Sequence, residues 1–319
     1  MPRRLVFVLV TALVAGLPAV AGCGQVPDVD APTPAASSVR SGSPVAPSSP
    51  VMQGTPGVPS ASPSATRSGS PSPAAQVSAT PGPSCPARVP KRLSLKGERG
   101  RTFAFAPLDH PDQVTVEGEA GGAQAWSTSK VLVVAAFLET TADGDPDAVS
   151  GTNRRLITAA LQRSDGEATA TLRRQIAGSP GRAMTAVLRS IGDRRTVAPD
   201  SLEGTMSWTS REQVRFMTAL RQGKVVSKPA SAYLLKTMQP IKEHRWGLGT
   251  VGAESFKGGW LRQGRITRQL GLLDGYAVAI STDQGPVVRQ TDGDSAHVAA
   301  MDDLAALLAD RLAYERRCG

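Results

Sequence analysis

The sequence predicts an α/β fold of the α+β type: an antiparallel sheet of about five strands flanked by helices, with a small helical lobe. Three observations carry this expectation. Apolar residues alternate with period two in two early segments and three late ones, a block of helical periodicity lies between them, and an amphipathic helix closes the chain. Strands drawn from both ends of a region must pair with one another, so the helical block becomes an insertion. The cleft between sheet and insertion is the natural place for a ligand.

The chain of 319 residues does not begin with that fold. Arg3 and Arg4 precede an apolar run from Leu5 to Ala21, interrupted by Gly16 and Pro18, and small residues lead to Cys23. Residues 1–22 read as a secretory leader. The plain alternative is a membrane-spanning helix, for which the run is short and contains a proline. The ending VAGC resembles the bacterial lipobox, which implies that Cys23 becomes the lipid-bearing first residue of the mature protein, anchored to the outer face of the cell membrane. Residues 23–84 are dominated by Pro, Ser, Ala, Gly and Thr and hold no aromatic residue. Such a segment buries too little apolar surface to offset its ordering entropy and reads as a disordered tether with a mean reach of roughly 40–50 Å. A glycosylated stalk or a wall-spanning spacer fits equally well.

From Cys85 to Gly319 charged residues and periodic apolar residues appear, enough for one large domain. The segment RTFAFAPLD, 101–109, and the segment QVTVEGEA, 113–120, alternate around a DHPD turn and predict a hairpin. Ser127 is expected to open a helix of about a dozen residues carrying Val131, Leu132, Val134, Ala135 and Leu138, broken by DGDPD at 143–147. Further helices are expected at 153–163, 167–177, 181–191, 209–221 and 229–239. Then AESFKGGWL, ITRQLGLL and YAVAIST predict three strands, with turns at Gly264 and at the DG of 274–275. A helix near 296–315 carries Val298, Met301, Leu304, Leu307, Leu308 and Leu312 at helical spacing.

The formal charge is +9, with the basic residues spread through the domain, chiefly as arginine, and aromatics make up 4%. With neither a basic block nor a stacking platform, nucleic-acid binding is not expected. His110, His244 and His297 have no ligand spacing among themselves or with cysteine, so no metal or other cofactor is expected. An exported location permits disulfides, and Cys85 and Cys318, at the domain's two edges, are expected to pair; two free thiols are the alternative.

The chemistry starts at STSK. Ser127 and Lys130 lie three residues apart at a helix start, on one face. A hydroxyl is a weak nucleophile until a neighbouring base takes its proton, and a desolvated lysine can serve. A capping serine beside a solvated lysine explains the same four letters. Two further stretches join it: RSDG places Ser164 and Asp165 at a helix junction, and SFKGGW places Lys257 on a strand ahead of Gly258 and Gly259. Each also reads as an ordinary turn or bulge.

The ordered set S-x-x-K, S-D-x, K-x-G on helix, junction and strand resembles the penicillin-recognising serine hydrolases, the class A β-lactamases and penicillin-binding proteins, whose motifs are S-x-x-K, S-D-N and K-T-G. The resemblance covers roughly residues 100–315. It implies that Ser127 is the acylated nucleophile and Lys130 its activator. Ser164 would relay a proton to the leaving nitrogen, and Lys257 would hold the ligand carboxylate and tune the local field. The N–H groups of Ser127 and Trp260 would form the oxyanion hole, and Asp165, Gly166, Gly258 and Gly259 would line the substrate. The substrate would be a β-lactam or a peptidoglycan-like acyl compound. Three departures stand out: Gly166 replaces the Asn of the second motif, Gly258 replaces the Thr of the third, and the loop before the helix at 209 lacks the Glu and Asn that orient a deacylating water. Glu203 is the acid that could stand in. The expectation is therefore an envelope-anchored serine hydrolase that forms an acyl-enzyme at Ser127 and turns over slowly or not at all. The competing expectation is a catalytically weakened domain kept for ligand binding or scaffolding.

Overall fold

The computed structural model describes residues 85–260, 266–284 and 295–319. The leader, Cys23, the tether and the expected turn at Gly264 lie outside the described residues.

The early hairpin forms from β1, Arg101–Pro107, and β2, Thr115–Gly118, antiparallel. The helical block follows as α1, Lys130–Thr141; α2, Gly151–Gln162; α3, Gly166–Arg174; α4, Pro180–Ser190; α5, Ser210–Arg221; and α6, Lys228–Thr237. The late strands are β3, Ser255–Trp260; β4, Thr267–Leu273; and β5, Tyr276–Thr282; the chain closes with α7, Ser295–Cys318. The helix boundaries follow from their caps. Ser150, Asp165, Ser179, Thr209 and Ser227 each accept a hydrogen bond from the backbone N–H three residues on, satisfying donors that the first turn leaves open.

The sheet has five strands in the order β2-β1-β5-β4-β3, antiparallel throughout. The β4–β5 connection is the expected DG turn, with Asp274 and Gly275 both at positive φ, 51° and 83°, as a tight hairpin demands. Alternation along the strands divides the core. Phe103, Phe105, Val278 and Ile280 face α7, against Met301, Leu304, Leu308 and Leu312. Ala104, Ala106, Ala277 and Ala279 face the other way, where small side chains admit α5. Every residue of α1 from Lys130 to Leu138 is buried, so it is a core helix with no solvent stripe. This order places β3 at the sheet edge, next to the start of α1.

The two ends of the domain, at Cys85 and Cys318, meet on the α7 side. Cys85 and Cys318 are joined by a disulfide with Cα atoms 5.5 Å apart, and α7 runs three residues beyond its predicted end to reach it. Nearby lies a buried charge network that the sequence does not announce. Glu117 on β2 accepts from Ser94 Oγ at 2.5 Å, Leu95 N at 2.9 Å and Arg311 Nη1 at 2.9 Å. Arg311 also holds Leu93 O at 3.1 Å and Glu315 at 2.7 Å, and its guanidinium lies 5.9 and 5.5 Å from the Phe103 and Phe105 ring centroids. It thereby ties the segment at Leu93, the edge strand β2 and the last helix together.

Candidate active site

The turn that carries Ser127 differs from expectation. Ser127 lies in a 3₁₀ turn, Trp126–Ser129, and α1 begins only at Lys130. Ser127 caps nothing: neither this turn nor α1 carries a side-chain cap, and Ser129 Oγ turns back to Trp126 O at 2.6 Å while Thr128 Oγ1 bonds Ala125 O. Side chains that satisfy the preceding carbonyls tighten the chain there. In a 3₁₀ turn residues i and i+3 eclipse, so Ser127 and Lys130 still share a face.

The turn is gripped from several sides. Ala125 N donates to Met206 O at 2.9 Å and Trp208 N to Ala123 O at 2.8 Å. Trp126 is at φ 46°, and a Cβ placed on Gly204 would stand 3.2 Å from its Cα. On the sheet side, a Cβ on Gly259 would stand 2.8 Å from both Ser127 N and Thr128 N. Gly259 is thus a residue whose missing side chain admits the Ser127 turn against the edge strand.

Two lysines converge on Ser164, which joins α2 to α3 at φ 59°. Lys130 is 7% exposed and donates through Nζ to Ser164 O at 2.8 Å. Lys257 is 2% exposed and donates to Ser164 Oγ at 2.9 Å and Gly258 O at 2.6 Å. Burial, joined by the charge of Lys130, holds the Lys257 amine well below the usual lysine range. Buried and bonded in this way, Lys257 faces Ser164 rather than open cleft.

The remaining expected residues separate clearly. Asp165 is exposed and caps α3, accepting from Ala168 N at 2.8 Å; that bond gives it a local structural use. A Cβ on Gly166 would meet Lys130 Nζ at 4.0 Å and nothing nearer, so this glycine opens space beside the lysine amine. Gly258 is different: a Cβ there would stand 3.0 and 3.1 Å from the Trp246 indole. Trp246 in turn packs edge-on against Trp260, centroids 5.5 Å apart, and Trp260 against His244 at 5.7 Å. Burial, aided by nearby Lys257, holds the His244 imidazole below the usual histidine range. No spacing signal in the sequence singles out His244 or Trp246. Glu203 opens a short 3₁₀ turn, Glu203–Thr205, and its carboxylate is held by Arg173 of α3.

These contacts set a paired expectation. Gly166→Asn should leave stability within about 0.5 kcal/mol, as an exposed substitution into open space does. Gly258→Thr should cost about 1–3 kcal/mol, because Trp246 has to give way. Thermal midpoints of the two variants check this asymmetry.

Comparison with known proteins agrees with the resemblance. A family model described as the beta-lactamase enzyme family matches residues 144–311, just over half of the chain. The matched span contains Ser164 and Lys257 and begins after Ser127 and Lys130. Among solved structures, the chromosome-encoded β-lactamase of Vibrio parahaemolyticus superposes with a TM-score of 0.51 at 16% identity, covering 66% of this chain and 93% of that one. A β-lactamase from Streptosporangium roseum gives 0.51 at 17% identity, covering 67% and 93%. A variant of a class A β-lactamase reconstructed as the last common ancestor of Gram-negative bacteria, bound to 5(6)-nitrobenzotriazole, gives 0.52 at 18% identity, covering 67% and 93%. Likeness at these identities is a likeness of fold. No curated protein sequence matches the chain.

Proposed function

This chain belongs to the beta-lactamase enzyme family, and on that footing we propose that its domain forms an acyl-enzyme at Ser127 and releases the product slowly. The observation that carries the proposal is the convergence of Lys130 and Lys257 on Ser164 beside a nucleophile turn pressed against β3. The Ser127 hydroxyl and N–H make no hydrogen bond among the described residues, which leaves both for a ligand.

In the proposed reaction Lys130 acts as the neutral amine: Ser127 Oγ attacks the acyl carbon while its proton passes to the lone pair of Lys130 Nζ, which becomes the ammonium. The carbonyl oxygen gains the negative charge and is met by the N–H groups of Ser127 and Trp260. The bond from the acyl carbon to its leaving nitrogen then breaks, and Ser164, bonded to Lys257, passes that nitrogen a proton. Hydrolysis of the ester needs a base that holds water. Glu203, committed to Arg173, is poorly placed to serve, which supports slow release.

A reactive penicillin supplies the test. Incubated with the full chain, it is expected to leave a lasting mass increase of one penicilloyl group, absent in Ser127→Ala. Substrate loss with no adduct would instead mean fast deacylation. With neither, the acyl-enzyme reading is wrong, and the second reading takes over: a ligand-binding or scaffolding domain. That second reading draws support from Gly166 and Gly258, which offer no side chain to a ligand, and from Trp246, which fills the space beside Gly258.

We also propose that the protein is exported and held at the outer face of the cell membrane by lipid on Cys23, with residues 24–84 as the tether. The support is the leader followed by VAGC. A Cys23→Ala chain is expected to leave the membrane fraction on cell fractionation; retention there would refute the lipid anchor.

A further inference from the structure

Arg268 on β4 is 2% exposed and has no acidic partner among the described residues. Its Nη1 donates to Trp208 O at 3.3 Å and its Nη2 to Gly122 O at 3.2 Å, while the buried Nε–H has no acceptor. A buried guanidinium without an anion is costly, because two neutral carbonyls answer its hydrogen bonds but not its charge.

The neighbours share the imbalance. Ser281 stands directly opposite Arg268 in the β4–β5 register, is 2% exposed, and its Oγ has no partner. Residues opposite one another in an antiparallel pair point to the same face, with Cβ atoms about 4.5–5.5 Å apart. On the other side Arg268 pairs with Gly259, which has no side chain to offer. Trp208, whose carbonyl Arg268 holds, has a buried indole N–H that also lacks an acceptor. Two more buried oxygens without a partner are Gln124 Oε1, two residues from Gly122 in the chain, and the hydroxyl of Thr267, which precedes Arg268.

We propose that Arg268 and Ser281 form a buried site for a small monovalent anion of the halide class, bound by Nε–H and Oγ–H. A single-atom anion suits such a place, since it needs little more room than a water and supplies the missing charge. Burial pushes the guanidinium down to about 10, which still leaves it cationic at neutral pH. The site does not depend on acylation at Ser127, but it touches the same frame. The carbonyls of Gly122 and Trp208 belong to the two segments that grip the nucleophile turn, so a bound anion would steady that grip.

The test uses the full chain at constant ionic strength, replacing sodium gluconate stepwise with sodium chloride or bromide. The wild type is expected to gain about 3–5 °C in thermal midpoint, saturably, as binding to the folded state alone requires. Arg268→Met should lose the gain. Should that variant not fold, Ser281→Ala keeps the guanidinium and should need at least ten times more halide. Crystals soaked in bromide should show an anomalous peak within hydrogen-bond reach of Arg268 Nε and Ser281 Oγ. Midpoints equal in gluconate and bromide would overturn the proposal. So would an equal halide gain in wild type and Ser281→Ala, or a water bridging these atoms with no bromide signal.

Discussion

Replacing Gly259 by alanine is expected to slow the proposed acylation of Ser127 about a hundredfold while the fold survives. The added Cβ would stand 2.8 Å from Ser127 N and Thr128 N and 3.2 Å from Ala125 O. These are backbone atoms and cannot swing aside as the tip of a long side chain does. The turn has little room to retreat, because Ala125 and Ala123 are bonded to the 206–208 segment and Gly204 backs onto Trp126. Strand or turn must therefore move by a sizeable fraction of an ångström, and a displacement near 1 Å at a reacting group costs about 10²-fold in rate. The rate of adduct formation, followed by intact mass alongside the thermal midpoint, measures this. An unchanged rate would mean that β3 does not position Ser127.

Arg311→Leu is expected to cost about 3–5 kcal/mol, the usual penalty for removing one partner of a buried ion pair. It strips Glu117 of its cation, frees Glu315, and removes the guanidinium packed beside Phe103 and Phe105. The pH dependence gives this a second readout. Burial by itself would raise the Glu117 pKa. Hydrogen bonds from Ser94 and Arg311, the Arg311 charge and Leu95 N outweigh it, so the carboxyl lies below its ordinary value. A folded pKa below the unfolded one contributes stability that is present above the unfolded value, about 4.3, and is lost as pH falls through the folded one. Wild-type stability should therefore decline as acid protonates Glu117. In Arg311→Leu the same protonation relieves an unpaired charge, so the gap between the two proteins should narrow at low pH. Urea unfolding at neutral pH and near pH 3 checks both statements. A gap that stays constant would mean that Glu117 does not carry the effect.

The order of elements was legible in the sequence because it rests on local periodicity. Period-two stretches became β1 to β5, the DG turn joined β4 to β5, and polar caps marked the helix starts to within a few residues. The motif order was legible too, since S-x-x-K, S-D-x and K-x-G stand in line along the chain. Only the tertiary structure decided what the motif residues touch. It moved Ser127 from an α-helix start to a 3₁₀ turn, because nearby hydroxyls bond backward to carbonyls. It gave Asp165 to a helix cap and Glu203 to Arg173, and it set Trp246 against Gly258. It also buried Arg268 and Arg311, which read in the sequence as ordinary members of a diffuse positive charge. Periodicity is set by neighbours along the chain. The partner of a buried charge is set by which strands pair, and here those partners lie tens to hundreds of residues away.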